Sequence, residues 1–346
     1  MLKGINLTLM IGPVVPAPVS HQVIEALQSV EVNSTAGDGE SGFELSFSLD
    51  KRSPFNTLFL LSGGASIPIL RVIIMVTIGA KADVLMDGVI THHQIQPGNN
   101  GAASTLTIQG KDLSAIMDLI AFDGIPYPAT PPAVRVLLIL AKYAPFGIVP
   151  KVIPSVIEDV PLPMERIPRH QGKDLEYVRQ LAQEVGYVFY MEPGPVPGTT
   201  FAYWGPEIRV GVPQPSLNID MDAHTNVESL SFRFDKEQKE LPIVYVQNQE
   251  TKAAVPIPIP NITPLSPPLG VVPPIPPKLT PLHDTAFLRP LQAVMQGMAY
   301  AAQHSDAVFA DGSLDVLRYG HVLKSRKLVG VRGAGLPFDG LILSTG

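Results

Sequence analysis

Residues 172–190 read GKDLEYVRQLAQEVGYVFY, and this stretch decides the fold class of its part of the chain. Leu175, Val178, Leu181, Ala182 and Val185 recur at helical spacing along one face. Glu176, Arg179, Gln180 and Gln183 occupy the opposite face, which is the pattern of a helix lying on a core. Gly186 stands where a helix ends in a left-handed residue, a conformation glycine adopts without a Cβ clash. Tyr187 to Met191 then starts a strand, and Thr199 to Trp204 makes a second strand across the Pro/Gly turn Pro193 to Gly198. A helix that feeds a hairpin marks the middle of the chain as α/β. Upstream, Pro131 to Tyr143 reads as another helix. Asp112 to Phe122 (DLSAIMDLIAF) reads as a third, with Asp112 as N-cap and Leu113, Ile116, Met117 and Ile120 at helical spacing.

Further toward the N-terminus the period changes from helical to alternating. Ile5, Leu7, Leu9 and Ile11 alternate with smaller or polar residues. Phe43, Leu45, Phe47 and Leu49 alternate with Glu44, Ser46 and Ser48, the signature of a half-buried strand. Val23 to Val32, Leu70 to Ile78, Val84 to Ile95 and Ser104 to Gly110 are further expected strands. Ser53-Pro54 opens a short turn or helix, and Gln96 to Ala103 (QPGNNGAA) is a loop by composition. Residues 1–110 are thus expected to form a small antiparallel barrel or sandwich.

Toward the C-terminus, Val227 to Phe234 and Ile243 to Gln247 return to strands. Ala254 to Pro281 then carries eleven prolines and one charge, Lys278. Proline lacks an N–H and fixes φ, so the segment is excluded from central sheet positions and is expected to run extended. It reads first as a semi-rigid spacer; its other residues are mainly Val, Ile and Leu in place of Ser, Glu and Lys, which makes docking along a neighbouring subunit the second reading. Thr285 to Gln303 is an expected helix with a stripe of Leu288, Leu291, Val294, Met295 and Met298. Val308 to Gly340 reads as strands and tight turns.

Composition narrows the function. The chain has 346 residues, 45% hydrophobic and 16% charged, with a net charge of −6. Its charge content is below the roughly 25% of ordinary soluble domains, so partners are expected to cover much of the surface. The acidic balance argues against nucleic-acid binding, and no apolar run of about 18 residues marks a membrane helix. The N-terminus has no convincing signal-peptide plan. Without cysteine there are no disulfides, thiolates or Cys-based zinc sites.

Catalytic constellations are missing too. His92 and His93 are adjacent in a strand pattern, so they point to opposite faces and make a poor metal clamp. The remaining histidines (His21, His170, His224, His283, His304, His321) are scattered. Asp220, Asp222 and His224 read as a solvated loop, and Asp83 and Asp87 carry no functional pattern. Residues 330–335 (GVRGAG) lack the Lys-Ser/Thr of a phosphate loop, and residues 62–66 (SGGAS) lack a nucleophile elbow. Both read as turns. Trp204 is the single tryptophan and forms no stacking platform. No enzyme, cofactor or metal is expected.

Three ordered segments carry a family resemblance. The first is Gly88-Val-Ile90, a loop, then residues 106–113 (LTIQGKDL), with Gly110 and Asp112. The second is residues 171–190, with Gly172, Leu175 and Gly186. The third is residues 314–320 (LDVLRYG), with Tyr319 and Gly320, followed by Arg332, Gly333, Gly335, Asp339 and Gly340. In this order they resemble the hub family of contractile tails: phage late-control D proteins, the T4-type baseplate hub and the hub part of VgrG spike proteins. The resemblance implies an α+β, mainly β fold, with two tube-like antiparallel β-barrel domains, an α/β insert and a Pro-rich extended segment. The first tube-like domain would be 1–110, with 225–250 as a candidate completion. The α/β domain would be 111–224, the Pro-rich linker 254–282 and the second tube-like domain 283–346, cut short at the C-terminus.

The implied function is a structural homotrimeric hub that matches a hexameric inner tube protein to a separate trimeric spike protein and lines a channel. Baseplate adaptor and wedge proteins would be neighbours. The setting would be a virion tail baseplate or a cytoplasmically assembled injection particle. The rivals are another baseplate or distal-tail protein and a β-rich secreted hydrolase, which would need convergent carboxylates in a cleft.

Overall fold

The computed structural model describes residues 4–35, 41–49, 69–98, 103–155, 163–164, 167–235, 238–247, 253–260, 278–304, 306–335 and 338–345. The expected turns at 53–54 and 62–66, residues 99–102 of the 96–103 loop and residues 261–277 of the Pro-rich segment lie outside them.

The N-terminal strands form one curled antiparallel half-barrel sheet. They are β1 (Ile5–Gly12), β2 (Ala17–Pro18), β3 (Leu27–Asn33), β4 (Gly42–Leu49), β5 (Arg71–Ile78), β6 (Lys81–Gln96) and β7 (Ser104–Asp112), in the spatial order β2-β1-β5-β6-β7-β4-β3. The alternation seen in the sequence places Phe43, Leu45, Phe47 and Leu49 inside, packed with Leu9, Val72, Ile74, Met86, Leu106 and Ile108. Register shifts at Ile74/Met75 and Ile90/His92 mark bulges, and bulges bend a sheet. Val23 to Val32 is not one strand. A short helix α1 (His21–Ala26) precedes β3 and brings Val23 onto the inner face. Burying that one side chain outweighs the modest strand propensity of the run.

The middle of the chain is α/β, as its sequence indicates. Asp112 caps a 3-10 turn at Leu113–Asp118, shorter than the helix expected to Phe122. It is followed by α2 (Pro132–Ala141), β8 (Ile148–Val152), α3 (Asp174–Glu184), β9 (Val188–Pro193) and β10 (Thr200–Gly205). The strands pair as β8-β10-β9, with β9 and β10 antiparallel across the expected turn. Helix α3 ends in a Schellman motif. Tyr187 N–H donates to the Ala182 carbonyl (2.7 Å) and Gly186 N–H to Gln183 (3.1 Å), with Gly186 at φ +69. Leu175, Val178, Leu181 and Ala182 bury against Trp204, Phe189 and Val136.

The C-terminal part holds three small sheets. β11 (Gln214–Asn218), β17 (Leu328–Arg332) and β18 (Gly340–Leu343) form the first in the order β11-β17-β18. β12 (Ser229–Phe234) pairs with β16 (Val308–Ser313). β13 (Glu240–Gln247) lies between β14 (Ala254–Pro258) and β15 (Lys278–Leu282). The strands of 225–250 thus pair with residues 254–282 and 308–313. Both described ends of the Pro-rich segment are edge strands, where proline is tolerated. In β14, Val255 and Ile257 alternate with Pro256 and Pro258, and Ile259 N–H donates to the Pro242 carbonyl (2.9 Å). Period two therefore sends every missing N–H to the outer side, where no strand needs it.

The expected helix at 285–303 is broken. A 3-10 turn at His283–Phe287 precedes α4 (Pro290–Gln303), because Pro290 holds Arg289 extended (φ −61, ψ 145). Its deepest positions are small: Ala293, Gly297, Ala301 and Ala302. Of the expected stripe, Leu288, Val294 and Met298 are half-buried and pack against this core, whereas Leu291 is exposed. A Cβ at Gly297 would lie 2.6 Å from Val244 Cγ1 and 2.9 Å from Ile259 Cγ1, so small residues are needed for this close approach. Helix α5 (Val316–Tyr319) follows β16 and ends at Gly320, φ +80.

Candidate functional site

The family-pattern residues are architectural positions spread along the fold. Gly88 and Gly110 lie under the Phe43 ring. A Cβ at Gly110 would sit 2.2 Å from Phe43 Cζ, and one at Gly88 would sit 2.2 Å from the Lys111 carbonyl oxygen. Asp112 accepts from Ser114 N–H (2.9 Å) and its hydroxyl (2.5 Å). Gly172 (φ +70) donates its N–H to Asp123 (2.7 Å). Leu175 is core, and Gly186 abuts α4 at Ala299. Tyr319 is buried and donates to the Pro215 carbonyl (2.5 Å). Arg332 ends β17, Gly333 (φ +84) and Gly335 (φ +95) make the turn toward β18, and Gly340 opens β18. Asp339 accepts from Ala334 N–H (2.8 Å) inside that turn. The GVRGAG run is therefore a strand and its turn.

The rejected constellations are also placed. His92 and His93 are exposed on the second half of β6, where it pairs with β7. Asp222 and His224 sit in an exposed 3-10 turn, with Asp220 and Asp222 at positive φ. Trp204 is fully buried and donates to the Val178 carbonyl (3.3 Å). No group of three metal-capable side chains occurs among the described residues.

Two buried polar clusters were not anticipated from the sequence. In the first, Arg71 grips Asp87 with two parallel bonds (Nε to Oδ1 2.7 Å, Nη2 to Oδ2 2.6 Å). Thr200 adds its hydroxyl to Oδ2 (2.9 Å), and Arg71 Nη1 reaches the Val14 carbonyl (3.2 Å). This joint ties the half-barrel to β10. Its signal was present as two lone charges inside the apolar strands RVIIMVTI and VLMDGVI.

In the second cluster, fully buried Asp174 accepts from Tyr143 hydroxyl (2.6 Å) and pairs with Lys142 (2.5 Å). His170 Nε2 stands 2.8 Å from its other oxygen, off the line of a hydrogen bond. Burial pushes the His170 imidazole below its ordinary value, against the opposing pull of Asp174. Burial and the Asp174 carboxylate push the Tyr143 hydroxyl up. His170 and Asp174 line neither of the two surface clefts; the cluster ties α3 to the end of α2 through Lys142 and Tyr143.

One cleft, about 300 Å³, opens between the middle sheet and the β11-β17-β18 sheet. Its floor is a stacked pair, Tyr190 and Tyr203 (ring centroids 4.9 Å apart). Arg326 lies 4.0 Å above the Tyr190 ring, and Lys151 Nζ lies 5.7 Å from the Tyr203 ring. Burial drives the Tyr203 hydroxyl up to about 12, and it donates to the Pro206 carbonyl (2.7 Å). A second cleft, about 410 Å³, holds Asp83, Lys81, Gly320 and His321. Burial there opposes ionisation of Asp83, but Lys324 (2.8 Å) and Lys81 (3.4 Å) outweigh it and hold the carboxyl below its usual range.

No protein-family model and no curated protein matches the chain. Solved structures do match in fold. The tail protein from Neisseria meningitidis MC58 aligns with a TM-score of 0.60 at 13% identity, over 99% of this chain and 90% of that one. The 43 kDa tail protein of prophage MuSo2 from Shewanella oneidensis gives 0.56 at 14% identity, over 98% and 90%. A chain of the Francisella PdpA-VgrG complex gives 0.50 at 11% identity, over 81% of this chain and 40% of its own length. The fold is that of phage tail proteins.

Proposed function

We propose that this chain is a structural component of a phage tail or phage-tail-like injection particle, and within it the hub between tube and spike. The supporting observation is a fold shared end to end with two phage tail proteins, over 99% and 98% of the chain. The two buried polar clusters, at Arg71/Asp87 and at Asp174, suit this role, since they tie segments together.

In this reading the half-barrel of residues 1–110 is the first tube-like domain and residues 111–224 are the α/β insert. Residues 283–346 belong to the second tube-like domain, and the Pro-rich stretch of 254–282, whose ends flank β13 of the same chain, offers its outer edges to a neighbour. Three copies would present six tube-like domains to a hexameric inner tube and carry a separate trimeric spike, with adaptor and wedge proteins outside. The mechanism is symmetry matching and force transmission.

Light scattering at low micromolar concentration and negative-stain electron microscopy test it. The expected result is a trimer with a threefold ring and a buried area above about 2,000 Å². A monomer under these conditions would overturn the hub assignment.

A further inference from the structure

The cleft over Tyr190 and Tyr203 is cationic in a chain whose net charge is −6. Lys151, Arg209, Arg326 and Lys327 line it, against one carboxylate, Glu207. Arg209 is committed to Asp306 (2.6 Å) and Glu207 (3.2 Å). Lys151 and Lys327 are exposed and have no carboxylate partner among the described residues. Arg326 is set differently. Its backbone is left-handed (φ 58) and is held by its N–H on the Ser344 carbonyl (2.7 Å). Its guanidinium spends one donor on the Thr35 carbonyl and stands 4.0 Å from the Tyr190 ring centroid. A guanidinium has five donors in a planar fork, matched to a carboxylate. A non-glycine residue in this backbone region is costly, and such strain concentrates where a side chain must be aimed. Around this centre, Val188, Ile208, Val212, Leu328 and Leu343 provide apolar walls.

We infer that the cleft receives an acidic segment of a partner polypeptide. A carboxylate of that segment meets Arg326 and Lys151 over the tyrosine pair, and neighbouring apolar side chains fill the walls. The charge complementarity commits the site to an acidic occupant, and the apolar walls commit it to a peptide in preference to a small ion. The inference does not depend on the hub assignment.

The test uses the full chain and two peptides, acetyl-Leu-Glu-Leu-Asp-Leu-amide and its Gln/Asn counterpart, with binding measured by calorimetry. The acidic peptide is expected to bind at least about tenfold more tightly than the neutral one, the size of one charge-assisted hydrogen bond. Its affinity should fall as salt rises. K151E and K327E, both at exposed positions, should each weaken it, whereas K111E, on a strand that does not line the cleft, should not. Equal binding of the two peptides, no binding of either, or an unchanged affinity in the K151E/K327E double variant would overturn the inference. Full competition by equimolar inorganic phosphate would assign the cleft to small anions and overturn it as well.

Discussion

Replacing Asp87 by alanine should destabilise the protein by about 3–5 kcal/mol, the cost of leaving a buried charge without its partner. The magnitude follows from the joint. Arg71 and Asp87 are 2% and 1% exposed, so water cannot take over the lost bonds. Three donors converge on the carboxylate: Arg71 Nε, Arg71 Nη2 and the Thr200 hydroxyl. Removing it strands the guanidinium, for which the Val14 carbonyl at 3.2 Å is the remaining acceptor. Thr200→Val should cost about 1.5–3 kcal/mol, the value of a hydrogen bond to a charged group. Arg71→Met combined with Asp87→Leu should cost much less than Asp87→Ala, because no unpaired charge is left behind. Urea unfolding followed by tryptophan emission suits the experiment. The single tryptophan, Trp204, is on β10, the strand that carries Thr200. A loss below about 1 kcal/mol for Asp87→Ala, or a double variant as costly as the sum of its singles, would refute the buried joint.

Two further outcomes follow from packing and charge. Gly110→Ala should cost about 1–3 kcal/mol in the same assay, because its Cβ would meet Phe43 Cζ at 2.2 Å and the Val89 carbonyl oxygen at 2.4 Å. Combining it with Phe43→Leu should recover part of the loss; no recovery would place the clash on the backbone alone. Hydrogen bonds from Lys278, Thr280 and Tyr300 hold Glu240 at about 2, below its ordinary 4.5. A folded value below the unfolded one means stability that is present above about 4.5 and lost as pH falls toward about 2. Glu240→Gln should therefore be less stable than the parent at neutral pH and converge with it in acid, and a gap that is constant with pH would refute the assignment.

The sequence by itself determined what is local. The helix at 174–184, its glycine stop, the hairpin behind it and the alternating strand at 42–49 all rest on side-chain period and on the one residue that tolerates a positive φ. The cap at Asp112 and the turn glycines at 333 and 335 were legible for the same reason. The proline pattern correctly barred the segment ends from central strands, though not which strand they would flank.

Tertiary structure decided what depends on distant partners. Val23 joined a helix because the half-barrel had an inner face to fill. Helix α4 set its small residues deepest because Val244 and Ile259 approach too closely for large ones, and left Leu288, Val294 and Met298 of the stripe half-buried beside them. Arg71 and Asp87 were visible only as isolated charges in apolar strands; their partner Thr200 lies more than a hundred positions away. The cationic cleft was invisible because Lys151, Tyr190 and Arg326 come from separate stretches of chain. Such contacts depend on long-range packing, and no short-range pattern encodes which distant segments will meet.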